Sequence, residues 1–252
     1  MKKALNYLLV GIFLLATYDT LWASVQTDIE KATNKGNTVF LVVTEPGITG
    51  LDKAMNIAEQ AHKSVAKSAV IEMNRADSTN SQLIKKYGLS GAPLPLILVV
   101  ASNGAPAGGL PADKVTPEGL VKMIPSPKKA EVFQALSENK SVFVVASRKS
   151  MTERSKVFDT CKAACSQMKN KAAFVSIDMD DKKESSFLAQ LKINKLSTEP
   201  VTAVINTQRR ITGSFNGPVE VKKLMDAAVK KAGGCGPGCS PKGCGLSNQK
   251  GK

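Results

Sequence analysis

Two patterns of apolar residues alternate along the chain: short continuous runs, and longer stretches in which apolar residues recur every three or four positions. The runs 39–43 and 142–146 have strand length and are rich in valine, which is typical of buried β-strands. The spaced stretches 49–66 and 150–170 predict amphipathic helices. Each helix follows one of the runs, so the pattern predicts repeated strand–helix units.

The same order of elements occurs twice, with a period of about 105 residues. In each half a short helix precedes the first strand, and a second strand and a second short helix follow the long helix. A proline, an apolar strand, a polar turn, another strand and a closing helix complete the half. This order predicts an α/β fold with mixed central sheets flanked by helices on both faces. We predict two tandem domains, 24–125 and 126–232, the second beginning at Ser126-Pro127.

One segment of the first half has a familiar sequence. Residues 86–93 read KYGLSGAP, and the strand 96–100, an Asn-Gly turn and a Thr-Pro-Glu helix start follow. This segment resembles the part of thioredoxin-like proteins that carries the cis-proline, and the resemblance extends over nearly all of 25–232. It identifies Pro93 as the cis-proline and Pro200 as its counterpart in the second half. The family docks extended chains beside that proline, which implies a peptide-binding role for Ala92, Pro93, Leu94, Glu199 and Pro200.

Both places where thioredoxin-like redox enzymes carry their CxxC pair are without cysteine. Those enzymes hold the pair at the start of the helix after the first central strand, where the helix dipole stabilises a thiolate. The corresponding turns here are 44–50, TEPGITG, and 147–152, SRKSMT. We therefore predict no catalytic residue at either turn. Thr49 and Ser150 are interpreted as helix-capping residues, the latter in a capping box with Glu153.

Two cysteines lie late in the second long helix. Cys161 and Cys165 are four residues apart, so they lie on one helix face, in an apolar stripe with Phe158 and Met168. The stripe favours cysteines that pack in the core as small apolar residues. The spacing also permits a two-thiolate metal or redox pair, and this alternative stays open.

The remaining cysteines fall in the segment 233–252, which is dominated by glycine, proline, serine and lysine and is predicted to be flexible. Cys235, Cys239 and Cys244 could bind Cu(I), or Zn with a fourth ligand from elsewhere. They could equally form adventitious or intermolecular disulfides. Two further alternatives are a thiol–disulfide oxidoreductase that uses tail or helix cysteines as a mobile dithiol, and a periplasmic metal carrier.

The first residues have the pattern of an export signal. Lys2 and Lys3 precede an apolar stretch at 4–16, which is too short to span a bilayer, and Asp19 ends it. Cleavage after Ala23 would deliver the protein to the periplasm or the medium. An uncleaved anchor and a buried N-terminal helix are the alternatives. After cleavage, no apolar run long enough for an integral membrane protein remains.

The net charge of the chain bears on the kind of partner that it could bind. The chain carries a net charge of +14 at pH 7. The favoured interpretation is a solvated basic surface, and the alternative is an anionic partner such as an acidic protein, an envelope polymer or lipid headgroups. Lysines are spread along helices and no aromatic stacking platform is visible, so a nucleic-acid partner is not expected. The single histidine excludes a His-based catalytic triad and a multi-His metal site. The sequence thus predicts an exported, non-catalytic protein that binds a peptide or protein partner.

Overall fold

The structure is a computed structural model that describes residues 24–231. The predicted signal segment 1–23 and the tail from residue 232 onward lie outside the described residues. The elements of the first domain are α1 (Val25–Asn34), β1 (Thr38–Thr44), α2 (Leu51–Lys63), β2 (Ser68–Asn74), α3 (Ser81–Tyr87), β3 (Leu96–Val100), β4 (Pro106–Pro111) and α4 (Pro117–Met123).

The second domain repeats this series in the same order. Its elements are α5 (Pro127–Ser137), β5 (Ser141–Ser147), α6 (Arg154–Gln167), β6 (Ala172–Asp178), α7 (Ser185–Gln190), β7 (Val201–Ile205), β8 (Ile211–Asn216) and α8 (Val221–Val229). The predicted order of strands and helices, including the short leading helix of each half, is confirmed.

Each domain contains one four-stranded mixed sheet. The strand order is β2-β1-β3-β4 in the first sheet and β6-β5-β7-β8 in the second. In the first sheet β1 pairs parallel with β2 and antiparallel with β3, and β3 pairs antiparallel with β4. The second sheet has the same directions of pairing. In both sheets the ends of the first two strands therefore lie beside the start of the third.

The central strands are continuous apolar runs because both of their faces are covered. Every residue of β1 is buried. Val39, Leu41 and Val43 pack on the side of α1 and α3, whereas Phe40 and Val42 pack on the side of α2 and α4. The second domain divides its core in the same way around β5.

The long helices begin later than the sequence pattern predicts. The predicted capping box of Ser150 and Glu153 is wrong. The helix α6 begins at Arg154, and its N-cap residue, Glu153, forms no side-chain capping bond. The preceding residues form a turn instead, because the Met151 side chain is buried and its Sδ accepts a hydrogen bond from the Arg148 N–H at 3.3 Å. Thr49 is likewise not a cap, since Gly50 is the N-cap of α2 with φ of 86°.

The junction between the domains is anchored by a buried carboxylate. Ser126 is the N-cap of α5 and Pro127 its first residue, as predicted. The Ser126 hydroxyl donates to Glu184 Oε2 at 2.6 Å, and the Lys128 N–H donates to Glu184 Oε1 at 2.9 Å. On the other side of α5, Asn103 Nδ2 of the β3–β4 turn donates to the Ala130 carbonyl at 2.9 Å. The leading helix of the second domain is thus bonded to both domains.

Within the part of the chain that the structure describes, no helix combines the length and the apolar character needed to cross a membrane.

Candidate functional site

The loop between α3 and β3 lies at the edge of the first sheet where the predicted peptide-binding residues fall. It holds a cis peptide bond, but this bond joins Leu94 and Pro95. The identification of Pro93 as the cis-proline is therefore wrong. Two prolines lie two residues apart here, and the one directly before β3 is Pro95. In the second domain Pro200 also stands directly before β7, but the bond to Glu199 is trans, so the predicted cis-proline is wrong there too.

An arginine fixes the start of this loop in the first domain. Arg75 follows β2, and its Nη1 donates to the Leu89 carbonyl at 3.0 Å and to the Ala92 carbonyl at 2.7 Å. Its Nε donates to Glu45 Oε1 at 2.6 Å. The hydrogen bond from Arg75 is the main cause that lowers the pKa of the Glu45 carboxyl below its ordinary value. Three segments of the chain are thereby joined at one guanidinium group.

A groove of about 380 Å³ runs beside the cis bond, between the start of α2 and the end of β4. Its floor is mainly apolar and its rim carries both signs of charge. At the start of α2, a Cβ on Gly50 would lie 3.8 Å from Pro95 Cγ, so the backbone of α2 passes close to the cis-proline. The groove is lined by Thr49, Gly50, Lys53, Pro93, Leu94, Pro95, Pro111, Ala112, Asp113 and Lys114.

The backbone of Leu94 is open at this groove. The Pro95 carbonyl accepts the Ala112 N–H at 3.0 Å, which continues the β3–β4 ladder by one step. The N–H and carbonyl of Leu94, one residue earlier, form no hydrogen bond with any other described residue. Leu94 is half-buried, and backbone groups at such a position pair with water or a ligand where the protein itself offers no partner. The N–H and the carbonyl of Leu94 are therefore available to water or to a bound chain.

The second domain builds the same arginine clamp with the charges exchanged. Arg148 follows β5, at the position that Glu45 occupies after β1. Its Nη1 donates to the Ser197 carbonyl at 3.0 Å, its Nη2 donates to the Lys195 carbonyl, and its Nε donates to Asp180 at 3.0 Å. In the second domain the arginine follows the first strand of the sheet, β5, whereas in the first domain it follows the second strand, β2. In both domains it holds the loop before the third strand.

The backbone beside Pro200 is closed, in contrast to that beside Pro95. The Ser197 hydroxyl donates to the Glu199 carbonyl at 2.8 Å and accepts the Glu199 N–H at 3.3 Å. Both backbone groups that a peptide would use are thereby occupied. The Glu199 carboxylate also lies across Gly217, where an added Cβ would come within 2.9 Å of it. Pro200 itself is buried.

The helix cysteines lie away from both loops. Cys161 is fully buried between α6 and the second sheet, and Cys165 is half-buried beside it. Burial raises the pKa of the Cys161 thiol to about 12, a rise that the neighbouring Thr202 hydroxyl reduces in part. Burial also raises the pKa of Cys165. These shifts oppose formation of the thiolate that redox exchange and metal binding require.

No group of three or more His, Cys, Asp or Glu side chains that could hold a metal ion occurs within 24–231. Cys235, Cys239 and Cys244 lie outside the described residues.

We expect Cys161 to resist alkylation in the native protein. At pH 8 its thiol should stay protonated and covered, so iodoacetamide should modify it only after unfolding. Peptide mapping by mass spectrometry separates Cys161 from the tail cysteines in the same sample, and Cys165 provides the internal comparison. Modification of native Cys161 as fast as a free thiol would contradict the buried position.

The two sheets define the class of this protein. Each has a parallel first strand pair followed by an antiparallel hairpin, with helices on both faces and a proline directly before the third strand. This is the thioredoxin-like fold, and residues 24–231 form two such domains in tandem.

No protein-family model and no curated protein sequence matches the chain. Among solved structures, the zinc-bound form of human ERp44 is similar over 78% of this chain and 56% of its own, with 10% identity and a TM-score of 0.34. The first two thioredoxin domains of Eps1p from Naumovozyma dairenensis are similar over 80% of this chain and 95% of their own, with 11% identity and a TM-score of 0.31. Those of Saccharomyces cerevisiae Eps1p are similar over 82% and 96%, with 12% identity and a TM-score of 0.29. The strand order and the directions of pairing define the class of the protein.

Part of this site was predictable from the sequence. Pro93 and Leu94 line the groove, and the Ala92 carbonyl belongs to the Arg75 clamp. Pro95 was not predicted, although its position directly before an apolar strand is visible in the sequence. The sequence gives no signal for Arg75, because its role depends on contacts with distant segments, nor for Ser197, whose hydroxyl bonds to the backbone of Glu199 within the same loop.

Proposed function

We propose that this chain is an exported, non-catalytic thioredoxin-like protein whose first domain binds an extended segment of another protein. The observation that carries the proposal is the unpaired backbone of Leu94 beside an apolar groove. An extended peptide that runs antiparallel to residues 93–95 would satisfy both the N–H and the carbonyl of Leu94. Export is proposed from the pattern of residues 1–23.

The groove favours a peptide that has an apolar side chain next to the residue that pairs with Leu94. Pro95, Pro111 and Ala112 offer an apolar surface, and the volume of about 380 Å³ accepts one or two side chains. The exposed side chains of Lys53 and Lys114 lie at the rim with Asp113. Two cations against one carboxylate, together with the positive end of α2, favour an acidic residue in the bound segment.

The second domain is not proposed as a second peptide site. Ser197 already occupies the backbone groups of Glu199, so a peptide would first have to displace that hydroxyl. Displacing an existing hydrogen bond cancels most of what the new one contributes. One peptide per chain is therefore the expected stoichiometry.

The tail would add a thiol or soft-metal function to the binding protein. Cys235, Cys239 and Cys244 are proposed as ligands for Cu(I) or Zn. Native mass spectrometry under reducing conditions tests this, and a chain that carries neither metal after exposure to both would reject it.

The alternative of a thiol–disulfide oxidoreductase gains no support from the described thiols. Cys161, the helix cysteine that this alternative would use, is buried, and the pKa of its thiol is raised. Attack on a disulfide needs an accessible thiolate. An oxidoreductase would therefore have to depend on Cys235 and Cys239. Insulin reduction by the protein, lost in the Cys235→Ser/Cys239→Ser variant, would establish that alternative.

Blocking the groove should abolish peptide binding. Thr49 is an exposed lining residue, so Thr49→Trp places an indole across the groove without touching the core. The probe is a peptide selected on the purified mature protein from a displayed library of random linear peptides, with binding measured by calorimetry. We expect Thr49→Trp to weaken binding at least about tenfold, because the indole excludes the paired chain.

The second domain supplies the matched control. Thr152 has the position in the second domain that Thr49 has in the first, and it is also exposed at the surface. Thr152→Trp should leave the affinity unchanged. Equal losses in both variants, no loss in Thr49→Trp, or failure of the selection to yield any peptide would count against the first domain as the binding site.

A further inference from the structure

Four segments meet at the end of the second domain that lies opposite the Pro200 loop. They are 138–141, 168–171, 206–210 and 229–231, and we call them together the basic end. The Ser141 hydroxyl donates to the Ala228 carbonyl at 2.9 Å, and Asn206 Nδ2 donates to the Lys230 carbonyl at 2.9 Å. The Ser141 N–H donates to the Lys171 carbonyl at 3.0 Å. The segments are therefore held together as one surface.

Cationic side chains dominate this surface. Glu138 is the one acidic residue in the four segments, and Lys140 pairs with it at 2.6 Å. Asp226, one turn earlier in α8, pairs with Lys222 at 2.9 Å. The basic side chains of the four segments, all at least partly exposed, are Lys140, Lys169, Lys171, Arg209, Arg210, Lys230 and Lys231.

Apolar side chains lie among these cations. A cavity of about 410 Å³ at the basic end is lined by Val229, Met168 and three of the lysines. Val229 is 67% exposed and Met168 is half-buried. An exposed apolar residue framed by lysine and arginine is the arrangement found on proteins that rest on an anionic bilayer, where the cations meet headgroups and the apolar residue enters the boundary layer.

At the corresponding end of the first domain, the turn between the third and fourth strands contacts the second domain. This β3–β4 turn, Ser102-Asn103-Gly104, carries no charge, and Asn103 bonds to α5. In the second domain the equivalent turn carries Arg209 and Arg210. Cations at the ends of helices could serve only to offset the helix dipoles, but these two arginines belong to a turn between strands. The two arginines are thus particular to the second domain and are not imposed by the fold.

We propose that the basic end is a peripheral membrane-binding surface that recognises anionic phospholipid headgroups. Nucleic acid fits less well, because the four segments contain no aromatic side chain on which a base could stack. The exposed Val229, which lines the cavity together with three of the lysines, favours a lipid surface over a soluble polyanion. The groove beside Pro95 lies in the first domain and does not take part in the proposed contact between the basic end and the lipid surface.

The test is co-sedimentation of the mature protein with vesicles. Vesicles of phosphatidylcholine with a large fraction of phosphatidylglycerol should bind the protein, and vesicles of phosphatidylcholine alone should not. Binding should weaken as salt is raised, because surface attraction is screened within a Debye length. The variant Arg210→Gln/Lys230→Gln/Lys231→Gln should lower the partition coefficient at least about tenfold.

A charge-matched variant separates this surface from net charge. Lys85→Gln/Lys182→Gln/Lys183→Gln removes three exposed lysines far from the basic end and should leave binding nearly unchanged. Circular dichroism checks that both variants are folded. Equal losses in the two variants would show that only net charge matters and would overturn the proposal. Absence of binding to the anionic vesicles, or binding of a single-stranded oligonucleotide in their place, would overturn it as well.

Discussion

Replacing Glu184 with alanine is expected to lower the free energy of unfolding of the second domain by about 3 kcal/mol. The Glu184 side chain is 1% exposed and accepts one hydrogen bond from the Ser126 hydroxyl and one from the Lys128 N–H. Alanine removes both bonds and leaves the two donors without this acceptor at the start of α5. Bonds to a buried carboxylate are among the stronger ones in proteins, so the loss should exceed that of an ordinary cap.

Chemical unfolding of the protein, followed by hydrogen exchange in α5 and β6, measures this loss. Glu184→Gln keeps the shape and one acceptor and should cost roughly half as much. Glu131→Ala is the control, because Glu131 also pairs with Lys128, at 2.7 Å, but on the exposed surface. That pair should contribute less than about 0.5 kcal/mol. A loss in Glu184→Ala no larger than in Glu131→Ala would contradict the anchoring role of the buried carboxylate.

Replacing Arg75 with methionine should both destabilise the first domain and weaken peptide binding. The side chain is 16% exposed, and its two bonds to the carbonyls of Leu89 and Ala92 should contribute about 2 kcal/mol. Methionine fills a similar volume but cannot donate, so the loop before Pro95 loses the contact that fixes Ala92. Leu94 then no longer has a fixed position, and calorimetry with the selected peptide should show a weaker affinity.

The Glu45 carboxyl reports on the same clamp. Arg75 holds its pKa below the ordinary 4.5, so the ion pair stabilises the fold above that value, and this contribution disappears as pH falls through the lowered pKa. An NMR titration should show the pKa rising in Arg75→Met. Arg148→Met is the matched control, because it removes the equivalent clamp of the second domain and should leave peptide binding intact. A Glu45 pKa that does not change, or equal effects of the two variants on peptide affinity, would contradict the role of Arg75.

The architecture could be predicted because it is encoded in local patterns. Runs such as 39–43 are apolar throughout because both faces of a central strand are covered, and the repeat gives the same information twice. Helix starts were less predictable. Ser150 and Glu153 match a capping box, but burial of the Met151 side chain holds these residues in a turn. Tertiary packing prevailed over a local signal.

The site could be predicted only in outline. The resemblance located the loop before the third strand correctly but assigned the cis bond to Pro93, because the family-like segment 86–93 ends at that proline, although Pro95 is the one that adjoins the apolar run. The difference between the domains was not predictable at all. It depends on Ser197 closing the backbone of Glu199, a contact within a loop that has no counterpart at Leu94.

Hydrogen exchange at the Leu94 amide tests the central claim most directly. Leu94 stands between two prolines, so its amide is the only one in the segment 93–95. We predict rapid exchange in the free protein and strong protection once the selected peptide is bound, with no change at the Glu199 amide. A Leu94 amide that is protected without peptide, or protection that arises at Glu199 while Leu94 stays unprotected, would contradict the account.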